Sequence, residues 1–191
     1  MTYDNNLKII AFVGLTGSGK SAAVEYLTSK NYPKVYFGGV IYNEMAKAGI
    51  PQGEENEKKF RVDIREQHGQ DFVVDEIIKQ IHDLADAGQK RIIADGIYSW
   101  DEYKAMKHAF SGELSVVAVI TPKHLRYHRL TTREDRPQTE ADSIARDWAE
   151  IETLQKGGPI AMADYFVIND GTEDELQLNL DKILNEINFN S

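Results

Sequence analysis

A chain of 191 residues can bury a sizeable core but is short of two ordinary domains. Its 31 Asp and Glu outnumber 22 Lys and Arg, and the formal charge of -9 argues against a general nucleic-acid binder, whose phosphate contacts need a basic surface. The absence of cysteine excludes disulfides, thiolate nucleophiles and Cys-based zinc sites.

The first segment, MTYDNNLKIIAFVG, has no basic n-region, and its apolar run IIAFV is five residues long. It reads as a first core strand over 8–13, not as a signal peptide. No stretch approaches the roughly 20 apolar residues that span a bilayer. The expected location is the cytoplasm, without membrane association.

Further β-branched and aromatic runs predict strands at 34–37, 91–94, 114–120 and 164–168. Helical patterns fall between them at 18–29, 40–48, 55–67 and 71–87, the last with Val74, Ile77, Ile78, Ile81 and Leu84 on one face. Thr121-Pro122 is a cap and first-turn pair for a helix running to about 133. The 139–156 segment carries Ile144, Trp148, Ile151 and Leu154 at helical spacing and stops at Gly157-Gly158-Pro159. A last helix starts at Thr172, where TEDE is a capping box. This alternation predicts an α/β fold, a parallel five-stranded sheet flanked by helices, in one domain over 1–191. Small inserts are expected at about 38–68 and 133–158.

Residues 14–21 read GLTGSGKS between the first strand and the first helix. Gly14, Gly19, Lys20 and Ser21 fit G-x-x-x-x-G-K-[ST], the phosphate loop of P-loop NTPases. Backbone N–H groups of Thr16, Gly17, Ser18 and Gly19 are expected to turn around a β-phosphate at the helix N-terminus. Lys20 is expected to bridge β- and γ-phosphates, and the Ser21 hydroxyl to ligate Mg²⁺, with ATP as the nucleotide. The alternative is a glycine-rich turn with no ligand.

Asp95 closes the strand of RIIADG at the sheet edge where doubly wound folds bind ligands. It is a second Mg²⁺ ligand candidate, or simply the first residue of a turn with Gly96. In HLRYHRLTTREDRP, Arg126, Arg129 and Arg133 share a helix face, with Arg136 just beyond. Guanidiniums on a closing lid would offset charge on a transferring phosphoryl group. The alternative is a solvated face paired with Glu134, Asp135 and Asp142.

GLTGSGKS, Asp95-Gly96, the RLTTR run from Arg129 to Arg133 and the closing ADYFVINDGTEDEL together resemble the nucleoside monophosphate kinase group of P-loop proteins. The nearest likenesses are dephospho-CoA kinases and archaeal adenylate-kinase-related proteins. The resemblance implies an ATP-dependent kinase with Mg²⁺, catalytic Lys20, Asp95, Arg129 and Arg133, an acceptor-binding insert at 38–68, and a lid at 133–158. It places Asn169 and Gly171 near the adenine ring.

The acceptor side departs from that pattern. Dephospho-CoA kinases carry an acid just after the second strand, where this chain has Phe37-Gly38-Gly39 and no acid until Glu44. Tyr42 and Tyr98 fall where adenylate kinases place arginines, leaving Arg65 as the candidate cation. Gly39, Tyr42, Arg65 and Tyr98 are therefore the expected substrate-binding set, for a nucleotide-like small molecule other than AMP. The alternative is that both tyrosines only pack. A dephospho-CoA kinase and a nucleotide-dependent switch are the competing functions. The switch as a GTPase lacks an N-K-x-D motif, since INDG has no lysine. The expected assembly is a monomer or weak homo-oligomer.

Overall fold

The computed structural model describes residues 6–134 and 136–190, excepting the side chains of residues 54, 55 and 58. Along the chain run β1 (Lys8–Val13), α1 (Lys20–Ser29), β2 (Lys34–Tyr36), α2 (Phe37–Lys47), α3 (Glu54–His68), α4 (Phe72–Asp86) and β3 (Arg91–Asp95). Then follow α5 (Trp100–Ala109), β4 (Leu114–Ile120), α6 (Lys123–Thr132), α7 (Glu140–Glu152), α8 (Gly157–Ala161), β5 (Tyr165–Ile168) and α9 (Glu173–Glu186). The strands form one five-stranded sheet in the order β2-β3-β1-β4-β5, every neighbour parallel.

Residues alternate between the faces of a strand, and both faces of this sheet are buried. Ile9, Ala11, Val13, Ile92, Ala94, Val116 and Ala118 join the core beneath α2, α4 and α5. Ile10, Phe12, Ile93, Val117 and Val119 join a second core with Ala23, Val24 and Leu27 of α1 and Leu176 and Leu180 of α9. Continuous apolar strands are what a parallel sheet covered on both sides requires. Because all strands point the same way, their C-terminal ends share one edge, and the chain leaves it at Gly14, Phe37, Gly96, Thr121 and Asn169.

The helix predicted at 40–48 begins three residues earlier, at Phe37, directly off β2. The capping box predicted at Thr172 is present: its side chain accepts from Glu175 N, and Glu175 reaches back to Thr172 N. Helix α5, absent from the sequence reading, begins with the same device at Ser99 and Glu102. The S-W-D-E spacing carried that signal.

Two predictions about the 139–156 segment need correction. Helix α7 ends at Glu152, Gln155 turns the chain through left-handed backbone (φ 52), and the glycines start short α8 instead of ending a helix. Its apolar stripe also faces outward. Ile144, Trp148 and Ile151 are exposed, whereas Ser143 and Glu150 are buried. Periodicity identified a helix but not its inward face, which is fixed here by polar partners on α6 and the 14–19 loop.

Candidate active site

The loop after β1 is tied to the ends of β4 and β5. Asn169 Nδ2 donates to Ser18 O at 2.8 Å, and the Thr121 hydroxyl lies 2.8 Å from Ser18 O and 2.9 Å from Asn169 O. Gly19 holds left-handed backbone (φ 89), and a Cβ there would run into the Asn169 amide, with Arg129 Nη1 3.8 Å away. Glycine alone lets the loop pass under both side chains. Thr121 is therefore not the expected cap of α6. Pro122 takes that position with no side-chain hydrogen bond, and the Thr121 hydroxyl serves the loop. The Ser18 hydroxyl is buried without a partner. An unpaired buried hydroxyl costs about 1–3 kcal/mol, and a bound anion would satisfy it. That is an observation of this loop that fits a phosphate group.

Lys20 Nζ pairs with Asp95 Oδ1 at 2.5 Å, and Lys34 Nζ lies 3.8 Å from Asp95 Oδ2. Asp95 is buried, while Ser21 is exposed one residue after Lys20. Mg²⁺ commonly takes one or two protein oxygens and keeps waters and phosphate oxygens for the rest. The Asp95 carboxylate and the Ser21 hydroxyl are donors of that kind, so the residues present fit the ion. Among the described residues there is no cluster of three or more His, Cys, Asp or Glu.

The arginines expected on one lid face divide. Arg126 is buried, binds Asp147 through both nitrogens at 2.8 and 2.6 Å, and donates to Thr16 O at 3.0 Å. Arg129 lies at Gly19 and donates to the Thr121 hydroxyl at 3.4 Å. Arg133 ends α6 and donates to Arg136 O at 2.5 Å, with no contact to the loop among the described residues. Asp135, one of its alternative partners, lies outside the described residues.

Three groups not anticipated from the sequence stand around Thr16. Glu150 accepts from Thr16 N at 3.1 Å and from Thr16 Oγ1 at 2.5 Å. Arg146 Nε donates to Thr16 Oγ1 at 3.0 Å. Lys156, 3% exposed, pairs with Glu150 Oε1 at 3.1 Å. Burial alone would raise the Glu150 carboxyl, but Lys156 and the Thr16 hydrogen bonds outweigh it and hold it below its ordinary value. Burial lowers the Lys156 ammonium against the pull of Glu150, and the charge of Lys20 adds to the lowering.

The opposite wall is aromatic. Tyr36, paired in register with Asp95, leans across the first turn of α2. A Cβ on Gly38 would sit 2.5 Å from the Tyr36 oxygen, so this glycine makes room for the ring. Gly39 packs on the same ring and, in the first turn of α2, could meet a ligand only through its backbone. Tyr98 lies beside Tyr36, and burial, with Tyr36 and Asp95 nearby, pushes its phenol far above the ordinary value. Tyr42 donates to Glu57 Oε2 at 3.3 Å, its ring 6.3 Å from that of Tyr36. Arg65 lies 3.8 Å from buried Glu102, whose carboxylate accepts from Tyr98 N at 2.7 Å. Tyr36 was missed by the sequence reading; its place at the end of a strand beside the Asp95 strand was the available signal.

On the far side of the loop, a cleft of about 320 Å³ is lined by Asn169, Asp170, Gly171 and the start of α9. The Asn169 side chain itself turns to the loop.

Residues 10–181 match the family described as an AAA domain. The chain is also 35% identical over 182 residues to the UPF0200 protein of Thermococcus onnurineus, covering 94% of this chain and 97% of that one. This chain belongs to the UPF0200 family. Among solved structures, shikimate kinase from Acinetobacter baumannii aligns over 98% of this chain and 96% of its own at a TM-score of 0.59 and 18% identity. Dephospho-CoA kinase from Campylobacter jejuni aligns over 94% and 97% at 0.52 and 17%. The UPF0200 chain thus has a P-loop kinase-like fold. Among the described residues no helix is long and apolar enough to cross a membrane.

Proposed function

We infer that this protein is an ATP-dependent phosphotransferase that moves the γ-phosphoryl group of ATP to a small nucleotide-like acceptor. The observation that carries the reading is the convergence of Lys20, Asp95, Arg129 and Arg146 on one edge of the sheet, facing a wall of tyrosines.

Lys20 and the loop N–H groups hold the β- and γ-phosphates, and the base lies toward Asn169 and Gly171. Asp95 and Ser21 would hold Mg²⁺, which when bound would neutralise phosphate charge. Arg129 and Arg146 face the charge that builds on the transferring group. Arg133 joins them only if the lid moves further inward. The acceptor hydroxyl or phosphate oxygen forms the new P–O bond as the bond to ADP breaks. Gly39, Tyr42, Arg65 and Tyr98 belong to the acceptor side, with Tyr36 added. Closure of α7 over the loop excludes water.

Phosphoryl transfer to dephospho-CoA is one specific form of this activity. A nucleotide-dependent switch is the second reading, favoured by the match to an AAA domain. The test is an ADP-release screen across nucleoside monophosphates, their deoxy and modified forms, and dephospho-CoA, with Lys20→Ala as the blank. Acceptor-dependent ADP release in the native chain alone supports the kinase. Slow release unaffected by every acceptor supports the switch.

A further inference from the structure

Lys156 has no place in the site so far except as the partner of Glu150. Its position asks for more. The residue sits where the chain turns from α7 into α8, and its side chain is 4% exposed. One face of its ammonium meets Glu150 Oε1 at 3.1 Å, and Nζ stands 5.0 Å over the Tyr98 ring. The same Glu150 carboxylate already serves Thr16 N and the Thr16 hydroxyl, and lies 3.5 Å from Arg146 Nε. An ammonium has three donors, and one shared carboxylate with one ring face is a sparse shell for a buried cation.

The charge of Lys20 also bears on Lys156. Two lysine ammonium groups near each other in a buried cleft repel, and that cost is offset when an anion lies between them. Lys20 approaches from the phosphate loop and Asp95, Lys156 from Tyr98 and the lid.

We propose that Lys156 is a further catalytic residue whose ammonium contacts the γ-phosphoryl group of ATP on the side facing the acceptor. This rests on the phosphotransferase reading for the identity of the nucleotide. It supplies, from the lid and over the Tyr98 ring, a cation additional to Lys34 beside Tyr36 and Arg65 beside Glu102. Glu150 holds the ammonium in place and couples it to Thr16, so the lid is docked when Lys156 is aimed.

The experiment measures ATP and ADP affinities in the native chain, Lys156→Met, Lys156→Gln, Lys156→Arg, Glu150→Gln and the Glu150→Gln/Lys156→Met double variant. Thermal unfolding confirms that each is folded, and the Gln variant replaces Met if Met is not. The expected result is about a tenfold loss of ATP affinity in Lys156→Met with ADP affinity within about twofold, since only ATP carries the γ-phosphate. Lys156→Arg retains most of it. In the Glu150→Gln background the Lys156→Met loss persists. If Lys156 only neutralises Glu150, that second loss vanishes, and the proposal is overturned. Equal weakening of ATP and ADP overturns it as well. Failure of the native chain to release ADP with any acceptor would refute the phosphotransferase reading alone, because the ATP-to-ADP affinity ratio still decides the role of Lys156.

Discussion

Arg126 grips Asp147 through both guanidinium nitrogens while donating to the carbonyl of Thr16. An arginine on α6 thus joins α7 to the phosphate loop, and its role is architectural. Tyr127 adds a hydrogen bond to the same carboxylate at 3.0 Å. Removing one partner of a buried ion pair leaves the other uncompensated, at a cost of about 3–5 kcal/mol when fully buried. Asp147 is partly accessible, so Asp147→Ala is expected to lose about 2–3 kcal/mol in denaturant unfolding. An exposed control on the same helix, Glu152→Ala, is expected to stay within about 0.5 kcal/mol. Equal effects at the two positions would contradict the role assigned to the pair.

The docking of α7 should depend on acid. Burial would raise the Asp147 carboxyl, but its bonds to Arg126 and Tyr127 prevail and hold it below the ordinary value. Glu150 is likewise held low by Lys156 and Thr16. Both carboxyls bind protons less readily folded than unfolded. The stability they contribute is therefore complete above the ordinary carboxylate range of about pH 4 and is lost as pH falls through the lower folded values. Amide exchange along α7, corrected for intrinsic rates, should show steady protection from about pH 7 to 5 and falling protection below about pH 4. An Asp147→Asn, Glu150→Gln double variant should lose that acid step; its persistence would locate the titration elsewhere.

The seat of Tyr36 can be tested through Gly38. A methyl group at residue 38 collides with the phenol, and overpacking of this kind costs about 1–3 kcal/mol. Gly38→Ala is expected to fall in that range, and adding Tyr36→Ala should recover most of the loss. Without recovery, the close approach is not what makes residue 38 a glycine.

Much of the architecture was legible because it is written locally. Continuous apolar runs gave five strands near their observed bounds, and GLTGSGKS and Asp95 both fall at the C-terminal edge of the sheet, where the candidate site was expected. The surroundings of Thr16 and of the tyrosines were less legible for a physical reason. Glu150 meets Thr16 across 134 positions, so no spacing rule links them. Lys156 takes its significance from Tyr98, Glu150 and Lys20, which arrive from three separate segments. Arg126 and Arg129 differ by three residues yet diverge in role, because Asp147 is available to one and Gly19 lies beneath the other.

Helix α7 offers a direct check on that lesson, because its apolar stripe and buried polar face reverse the usual arrangement. Trp148 is 64% exposed, whereas Trp100, the only other tryptophan, is half-buried and stacked on Tyr103 at 5.1 Å. Acrylamide should therefore quench mainly the Trp148 emission, and Trp148→Phe should leave a blue-shifted, poorly quenched spectrum. Trp148→Ser should cost less than about 0.5 kcal/mol, as a surface change away from packed contacts. Glu150, two residues on and so on the opposite, inward face, should act oppositely: Glu150→Ala strips Thr16 and Lys156 of their shared partner and is expected to cost about 2–3 kcal/mol. A large loss at Trp148 with none at Glu150 would mean that α7 turns its apolar stripe inward after all.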